Sequence, residues 1–404
     1  MKNISNLFLI KNNNLLAILI ELISKLLPFI LVPFITNAFV GKEYLDYLYY
    51  ESMLFIFSTI ITLGQDAAIS RSALIHRKPN AISVQSASLS LSIVFGSLFF
   101  IYSIIIQKYF IAFISLGAII ISMSNMISLV AIARADLKTY NISRLSNQLL
   151  AFNLTLLLLV LDSLSMEIRI FFIIIGFIFS LVFLWPYLKN ITIQNIFKNI
   201  ILIKYSLGIG FFLLLHSLSN IARLRIDKVL FLDQIPITIA SNIGLASIFI
   251  LAISAFIDSV YKILLPNIYK SYVLENKSLR LTLFKLFFLG LFIAFIGFLF
   301  NLIPERFYIF IFGNSFNMVG YYVFIMTLSY IFFPAYLYFV NYAIFLKKTI
   351  LLGFISVFSA IAWLLVGFFI LKNGYSYNYF YISQIILFAP TIILFISIRA
   401  KIIQ

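Results

Sequence analysis

The sequence has no cysteine and little charge, and each shortage excludes a class of protein. No cysteine occurs among the 404 residues, so disulfide bonds, thiolate metal sites and a cysteine nucleophile are excluded. Charged residues make up 10% of the chain, whereas a soluble domain carries about 25%. Hydrophobic residues make up 63%, which is more apolar surface than a water-soluble core can use. We therefore expect lipid to be the solvent of this chain.

Long hydrophilic segments are also missing, and this excludes a soluble catalytic domain. The longest lie near 66–81, 133–147, 189–204 and 265–282. The sequence has no Walker motif, no G-x-S-x-G and no H-E-x-x-H. It therefore predicts a protein that is not an enzyme, has no cofactor or metal site, and acts within the bilayer.

Twelve apolar stretches are long enough to cross a bilayer, which takes about 20 residues of helix. They are 13–37, 47–65, 82–105, 109–132, 148–164, 170–188, 203–221, 237–264, 283–303, 317–345, 349–371 and 378–398. The fold class expected is all-α, a polytopic membrane protein with about 12 transmembrane helices.

A segment near the midpoint of the chain divides these stretches into two sets of six. It reads LKNITIQNIFKNIILIK and spans 188–204. Its isoleucines and phenylalanine recur at helical spacing, which is typical of an amphipathic helix at the membrane interface. We expect a six-helix bundle at 1–187, a cytoplasmic connector at 188–204 and a second six-helix bundle at 205–404.

The net charge of +16 is spread among the loops rather than clustered, so nucleic acid is not an expected partner. If the N-terminus is cytoplasmic, the loops on that side carry twenty of the 29 Lys and Arg residues and the opposite side carries eight. Cytoplasmic loops are enriched in Lys and Arg. The asymmetry predicts that both termini are cytoplasmic.

Charges inside or next to the apolar stretches are candidates for function, because a charge is costly in lipid. Lys25 and Glu21 lie four residues apart in the first stretch, and Asp66 and Arg71 follow the second. The seventh stretch ends in Asn220, Arg223, Arg225, Asp227 and Lys228. The surplus of cations at this end suits a phosphate-bearing substrate, since arginine binds phosphate oxygens in a bidentate fork.

Each of these charges also has a simpler interpretation. Glu21 and Lys25 either line a polar cavity or form an internal ion pair that fixes helix packing. Arg223 and Arg225 are equally well read as external loop charges. Asp258 and Lys262 lie near a helix end, where snorkelling to the interface is favoured. His216 is expected to be a packing histidine rather than a proton relay.

Five segments together carry a family resemblance. They are LLPFILVPFITNAFVGKEY (26–44), TLGQDAAISR (62–71), AIARADLKTYNISRLSNQL (131–149), NIARLRIDKVLFL (220–232) and IFGNSF (311–316). With the length, helix count and short basic loops, they resemble Wzx-type bacterial flippases of O-antigen and capsule repeat units. These belong to the multidrug/oligosaccharidyl-lipid/polysaccharide exporter superfamily.

The resemblance implies a V-shaped exporter fold in the bacterial cytoplasmic (inner) membrane. It implies alternating access and an undecaprenyl-pyrophosphate-linked oligosaccharide as substrate. Membrane lipids, a polysaccharide polymerase and a chain-length regulator are the partners it suggests, and coupling to a proton or sodium gradient is open. Two alternatives remain: a multidrug antiporter of the same superfamily, and a membrane polysaccharide polymerase or ligase, against which the lack of a large external loop weighs.

The predicted topology can be tested with alkaline phosphatase fusions, since the enzyme is active only outside the cytoplasm. We expect fusions after residues 136 and 275 to be inactive and fusions after residues 163 and 374 to be active. Strong activity from either of the first two would contradict the orientation.

Overall fold

The structure is a computed structural model that describes residues 20, 23–65, 69, 78–134, 136–189, 200–273, 279–346 and 348–403. Within these ranges the chain is almost entirely helical and contains no strand. The helices are α1 (Val32–Ala38, with helical residues 23–30 before it), α2 (Lys42–Thr62), α3 (Lys78–Ile105), α4 (Tyr109–Ala133), α5 (Leu137–Val160), α6 (Met166–Phe183), α7 (Trp185–Leu188), α8 (Ile200–Ile221), α9 (Asp227–Leu230), α10 (Ile237–Val273), α11 (Leu279–Leu302), α12 (Glu305–Phe312), α13 (Val319–Tyr330), α14 (Phe333–Phe345), α15 (Thr349–Lys372), α16 (Tyr377–Ile382) and α17 (Ile385–Ile403).

The all-α polytopic fold is confirmed. Among the described residues, nine helical segments are long and apolar enough to cross a membrane. The other three predicted stretches are also helical where they are described, in α1 with residues 23–30, in α2 and in α8. Large apolar side chains point outward along the helices, as on α11 at Phe284, Phe288 and Phe292, which is expected where lipid is the solvent.

The chain forms two compact units, one of Met1–Asn37 with Asp233–Gln404 and one of Ala38–Leu232. The first helix thus groups with α10–α17, and α8 groups with α2–α7. The predicted bundles at 1–187 and 205–404 stay a prediction, as does their arrangement. Most of the predicted connector, residues 190–199, lies outside the described residues.

Two predicted spans are interrupted. The stretch 317–345 forms α13 and α14, and 378–398 forms α16 and α17. Pro334 lies in the first turn of α14, where its missing N–H removes no helical bond. A Cβ at Gly290 of α11 would collide with the Ile331 carbonyl oxygen at this break, so the glycine allows α11 to approach the exposed carbonyl.

Close contact between two glycines fixes α8 against the end of α2. Leu63 and Gly64 end α2 in the left-handed region, with φ of 47° and 68°. A Cβ built at Gly210 of α8 would lie 2.8 Å from the Gly64 carbonyl oxygen, and one at Gly64 would collide with the Gly210 carbonyl. Small residues allow such close backbone approach between membrane helices. This contact sets the position of α8 and of the charged residues that follow it.

A hydrogen-bonded network joins the α4–α5 loop to α7, and it includes residues of the segment 131–149 that carries part of the resemblance. The Asp136 carboxylate caps α5 by accepting from the Thr139 backbone N–H at 3.1 Å and accepts from the Tyr187 hydroxyl at 2.7 Å. Burial alone would raise the pKa of Asp136, but these hydrogen bonds hold it below its usual value. Burial and the same carboxylate raise the pKa of Tyr187 to about 12. The Arg134 guanidinium lies over the Tyr187 ring at 5.3 Å.

Gly210→Ala should destabilise the protein by about 1–3 kcal/mol, because the new methyl group meets backbone atoms that cannot move aside. Gly208→Ala is the matched control, since a Cβ there has nothing within 4 Å and alanine favours a helix by about 0.5–1 kcal/mol. Thermal unfolding in detergent measures both variants. Equal melting temperatures for the two would contradict the proposed packing.

Candidate functional site

The end of α8 carries most of the predicted site residues, and it is a helix rather than a loop. After Ile221 the chain continues as a π-helical turn at Ala222–Ile226 and then as α9. Arg223 and Arg225 lie in the π turn, and Asp227 and Lys228 in α9. The interpretation of Arg223 and Arg225 as loop charges is therefore wrong. π turns inside helices are frequent at functional sites.

Several charged side chains that were assigned to the far-side loops are buried. The exposed fractions are 5% for Arg169, 5% for Arg223, 2% for Asp227 and 3% for Lys228. Charged residues are almost never buried to this degree unless they are paired. The contacts of each group therefore decide what it does.

Lys228 has a local anionic partner. Its Nζ lies 3.3 Å from the Asp227 carboxylate and donates to the Leu224 carbonyl oxygen at 2.8 Å. The two charges compensate each other within one helical turn. This pair is thus neutral as a whole and contributes no surplus charge.

Arg225 bridges α8 and α2. Its guanidinium lies 3.8 Å from the Glu51 carboxylate and 4.2 Å from the centre of the Phe55 ring. Glu51 and Phe55 are four residues apart and share one face of α2. This side chain is half-buried and has both an ionic and an aromatic partner. It is held in one place by α2.

Arg169 is the least compensated of the buried cations. Ser165 caps α6 by accepting from the Ile168 N–H at 3.4 Å, which places Arg169 in the first turn. Its Nη1 donates to the Thr155 hydroxyl of α5 at 2.8 Å, and it also hydrogen-bonds the Tyr47 hydroxyl of α2. Within the described part of the chain, no carboxylate forms a salt bridge with Arg169.

Tyr47 connects these groups electrostatically. Its hydroxyl lies near Arg169, Glu51 and Arg225, and Lys228 lies near Arg225 and Glu51. We call the cation cluster the set Arg169, Arg223, Arg225, Lys228, Glu51 and Asp227. It has four cations and two carboxylates, and it lies where α2 begins, α6 begins and α8 ends, all predicted to be the external side.

The other predicted site residues are placed apart from the cluster or outside the description. Asn220 is half-buried at the end of α8. Lys25 is half-buried in the other unit. Glu21, Asp66 and Arg71 lie outside the described residues, so the Glu21–Lys25 pairing stays a prediction.

Sequence reasoning missed Arg169 and Tyr47. Arg169 was counted as a loop charge because it precedes the apolar run of α6. Ser165 three residues before Ile168 is an N-cap signal that places Arg169 inside the helix. No comparable signal marks Tyr47, since Arg169 and Arg225 near it come from α6 and from the π turn after α8.

The chemistry of the cluster is that of anion recognition. Guanidinium and ammonium groups donate to phosphate oxygens, and their field is strong where water is excluded.

Within the described residues no group of three or more His, Cys, Asp or Glu side chains is arranged to hold a metal ion. His216 is buried next to Arg223, and a second positive charge there is unfavourable, which supports a neutral packing histidine.

The comparisons with known sequences give distant relatives. No protein-family model matches the chain. An "Uncharacterized membrane protein" of Haemophilus influenzae is 25% identical over 351 residues, which is 85% of this chain and 86% of that protein. "Lsg locus putative protein 1" of the same species is 25% identical over 350 residues, covering 84% and 86%.

The fold is shared with transporters. An outward-facing multidrug resistance MATE family transporter of the MOP superfamily superposes with a TM-score of 0.62 at 15% identity, covering 96% of this chain and 95% of that chain. MATE in the straight conformation gives 0.59 at 14% identity, covering 96% and 94%. A MOP superfamily transporter from Pyrococcus furiosus, described as having a binding pocket of reverse polarity that suggests a different function, gives 0.52 at 16% identity, covering 96% and 92%. The chain thus has the fold of these MOP-superfamily transporters.

Arg169→Met should leave the protein as stable as the wild type or more stable, because an apolar side chain of similar length removes the desolvation penalty of an uncompensated charge. The Thr155 hydroxyl still donates to the Ala151 carbonyl at 2.7 Å, so no donor on that side is orphaned. Arg306→Met, at an exposed arginine of α12, is the control. A fall in melting temperature of many degrees for Arg169→Met alone would show that the charge holds the fold together.

Proposed function

We propose that the chain is a flippase that translocates undecaprenyl-pyrophosphate-linked oligosaccharide repeat units across the cytoplasmic membrane for O-antigen or capsule synthesis. The observation that carries the proposal is the surplus of buried cations in the cation cluster. A charge that is buried without a compensating partner is costly, because it loses its hydration. Retaining Arg169 without a carboxylate partner among the described residues therefore favours an anionic ligand as its partner.

The substrate chemistry explains why such a protein is needed. Sugar hydroxyls and phosphates cannot cross lipid alone, because they would lose their hydrogen bonds to water. A protein that supplies cations and hydrogen-bond donors replaces that hydration, while the lipid tail stays in the bilayer. Alternating access between two bodies of the chain is the cycle we propose, with a proton or sodium gradient as an untested driving force.

The fold supports membrane transport in general and does not choose among substrates. Multidrug transport is the second candidate, because the solved structures of similar fold include a multidrug resistance transporter. The charge balance argues against it, since a cationic drug would be repelled by the cation cluster.

We also propose a bacterial inner-membrane location with cytoplasmic termini, and a polymerase and a chain-length regulator as partners.

The test is a flipping assay in proteoliposomes with a fluorescent undecaprenyl-pyrophosphate-linked oligosaccharide. We expect the wild type to flip it and the triple variant Lys25→Ala, Arg223→Ala, Arg225→Ala to be at least tenfold slower. Arg223 and Arg225 belong to the cation cluster that is proposed to meet the pyrophosphate, and Lys25 is predicted to line the path of the substrate in the other unit. Arg306→Ala is the matched control and should keep wild-type rates.

Two outcomes would contradict the proposal. One is unchanged flipping by the triple variant, with the protein present at wild-type levels. The other is efflux of a cationic dye by the wild type with no flipping of the lipid-linked substrate, which would favour the multidrug antiporter.

A further inference from the structure

A cavity of about 210 Å³ lies at one end of the unit that contains α10–α17. Its polar walls come from the end of α11, from α12, from the turn before α13 and from α13 itself. The lining includes Asn301, Glu305, Tyr308, Asn317, Gly320 and Tyr321. These segments are the predicted external loop between the ninth and tenth spans and the ends of the two spans next to it. The cavity is separate from the cation cluster, whose residues lie in the other unit.

The tyrosine walls of this cavity are fixed by hydrogen bonds behind them. The Tyr308 hydroxyl donates to the Phe300 carbonyl oxygen at 2.6 Å, and the Tyr321 hydroxyl accepts from the Asn378 side chain at 2.6 Å. A Cβ at Gly320 would collide with the Phe300 carbonyl and lie 2.8 Å from the Tyr308 hydroxyl. The rings therefore stand in place before any ligand arrives.

The turn that carries Asn317 is also fixed by hydrogen bonds. Asn242 of α10 donates to the Ser315 carbonyl at 2.8 Å and accepts from the Met318 N–H at 2.8 Å, so it clamps the chain on both sides of Asn317. Asn37 donates to the Ile311 carbonyl at 2.9 Å, and Gly313 turns the chain with a φ of 100°. Two asparagines from other helices thus shape the IFGNSF segment.

The lining chemistry selects for a neutral ligand rich in hydroxyls. Asn301 and Asn317 offer amide donors and acceptors, and Glu305 offers acceptors. Tyrosine rings supply an apolar surface with a polar tip. The Glu305 carboxylate repels phosphate, so the anionic part of a lipid-linked substrate is unsuited to this cavity. Its volume is below the range of about 300–1,000 Å³ for drug-sized ligands, which fits one ring rather than a chain of them.

We propose that this cavity is a glycan subsite that binds one neutral sugar ring of the carried oligosaccharide. The inference rests on the proposed function for its ligand class and adds a second recognition element. The cation cluster is assigned to the pyrophosphate, and the cavity of the other unit to a sugar. Asn301, Glu305 and Asn317 are exposed, so their hydrogen-bonding groups are accessible to a ligand.

Saturation-transfer NMR on the full-length protein in lipid nanodiscs tests the subsite, with glucose, galactose and N-acetylglucosamine as probes and no glycoside detergent present. We expect signal from at least one probe in the wild type. Asn317→Ala should reduce that signal at least fivefold by removing an amide partner. Asn373→Ala, at an exposed asparagine that follows α15, should leave it unchanged.

Glu305→Gln gives an independent readout that does not depend on Asn317→Ala folding. The substitution keeps the shape of the side chain and removes its negative charge. Glucose 6-phosphate should therefore bind poorly to the wild type, and its saturation-transfer signal should be at least threefold larger with the variant. Lack of signal from every neutral sugar with the wild type overturns the subsite. So does equal signal from wild type and Asn317→Ala, or no gain of the phosphorylated sugar in Glu305→Gln. None of these results bears on the proposed function, because the flipping assay measures translocation and not binding of free sugars.

Discussion

The constraint on which this structure depends is the burial of positive charge in a protein whose solvent is lipid. Arg169, Arg223 and Lys228 are each at least nine-tenths buried. Lys228 has the Asp227 carboxylate next to it, and Arg169 donates to the Thr155 hydroxyl. A structure that needed only stability would have apolar residues at these positions, since well-packed apolar groups commonly match or exceed buried ion pairs. The burial of these charges is therefore the feature on which the proposed function rests.

Helix geometry is what brings these charges together. α2 contributes Glu51 and Tyr47, α6 contributes Arg169, and the extended end of α8 contributes the arginines and the lysine. The glycine contact at Gly64 and Gly210 sets the distance between α2 and α8. Membrane helices gain little from hydrophobic attraction to one another, so close packing of small residues and hydrogen bonds fix their arrangement. The same logic holds in the other unit, where asparagines and Gly313 shape the α12–α13 turn.

The two polar sites differ in the sign of their charge. The cation cluster combines four cations with two carboxylates, whereas the cavity near Tyr308 has one carboxylate among amides and hydroxyls. A substrate with a pyrophosphate at one end and sugars along its length presents both kinds of group. This division of chemistry between the units is the physical basis of the proposed function and of the glycan subsite.

Hydropathy was enough to predict the fold class and to locate the helices, because a polypeptide in lipid must satisfy its backbone hydrogen bonds within each segment. It did not predict the helix breaks before Pro334 and near Ser383. Mean hydropathy does not show where the backbone hydrogen bonds of a helix are interrupted. The sequence identified the cations at the end of α8 as site candidates, but it did not predict that they are buried. An apolar run that ends in charged residues has the same sequence pattern whether the helix stops or continues.

The sequence by itself determined that this is an all-α membrane protein with a surplus of positive charge near the end of α8. Composition and periodicity carry that information locally, residue by residue. Only the tertiary structure decided that Arg169 is part of the same cluster, that Glu51 pairs with Arg225, and that Asn242 and Asn37 hold the turn beside a second polar cavity. Those contacts join residues between 14 and 274 positions apart, and they exist only once the helices have packed.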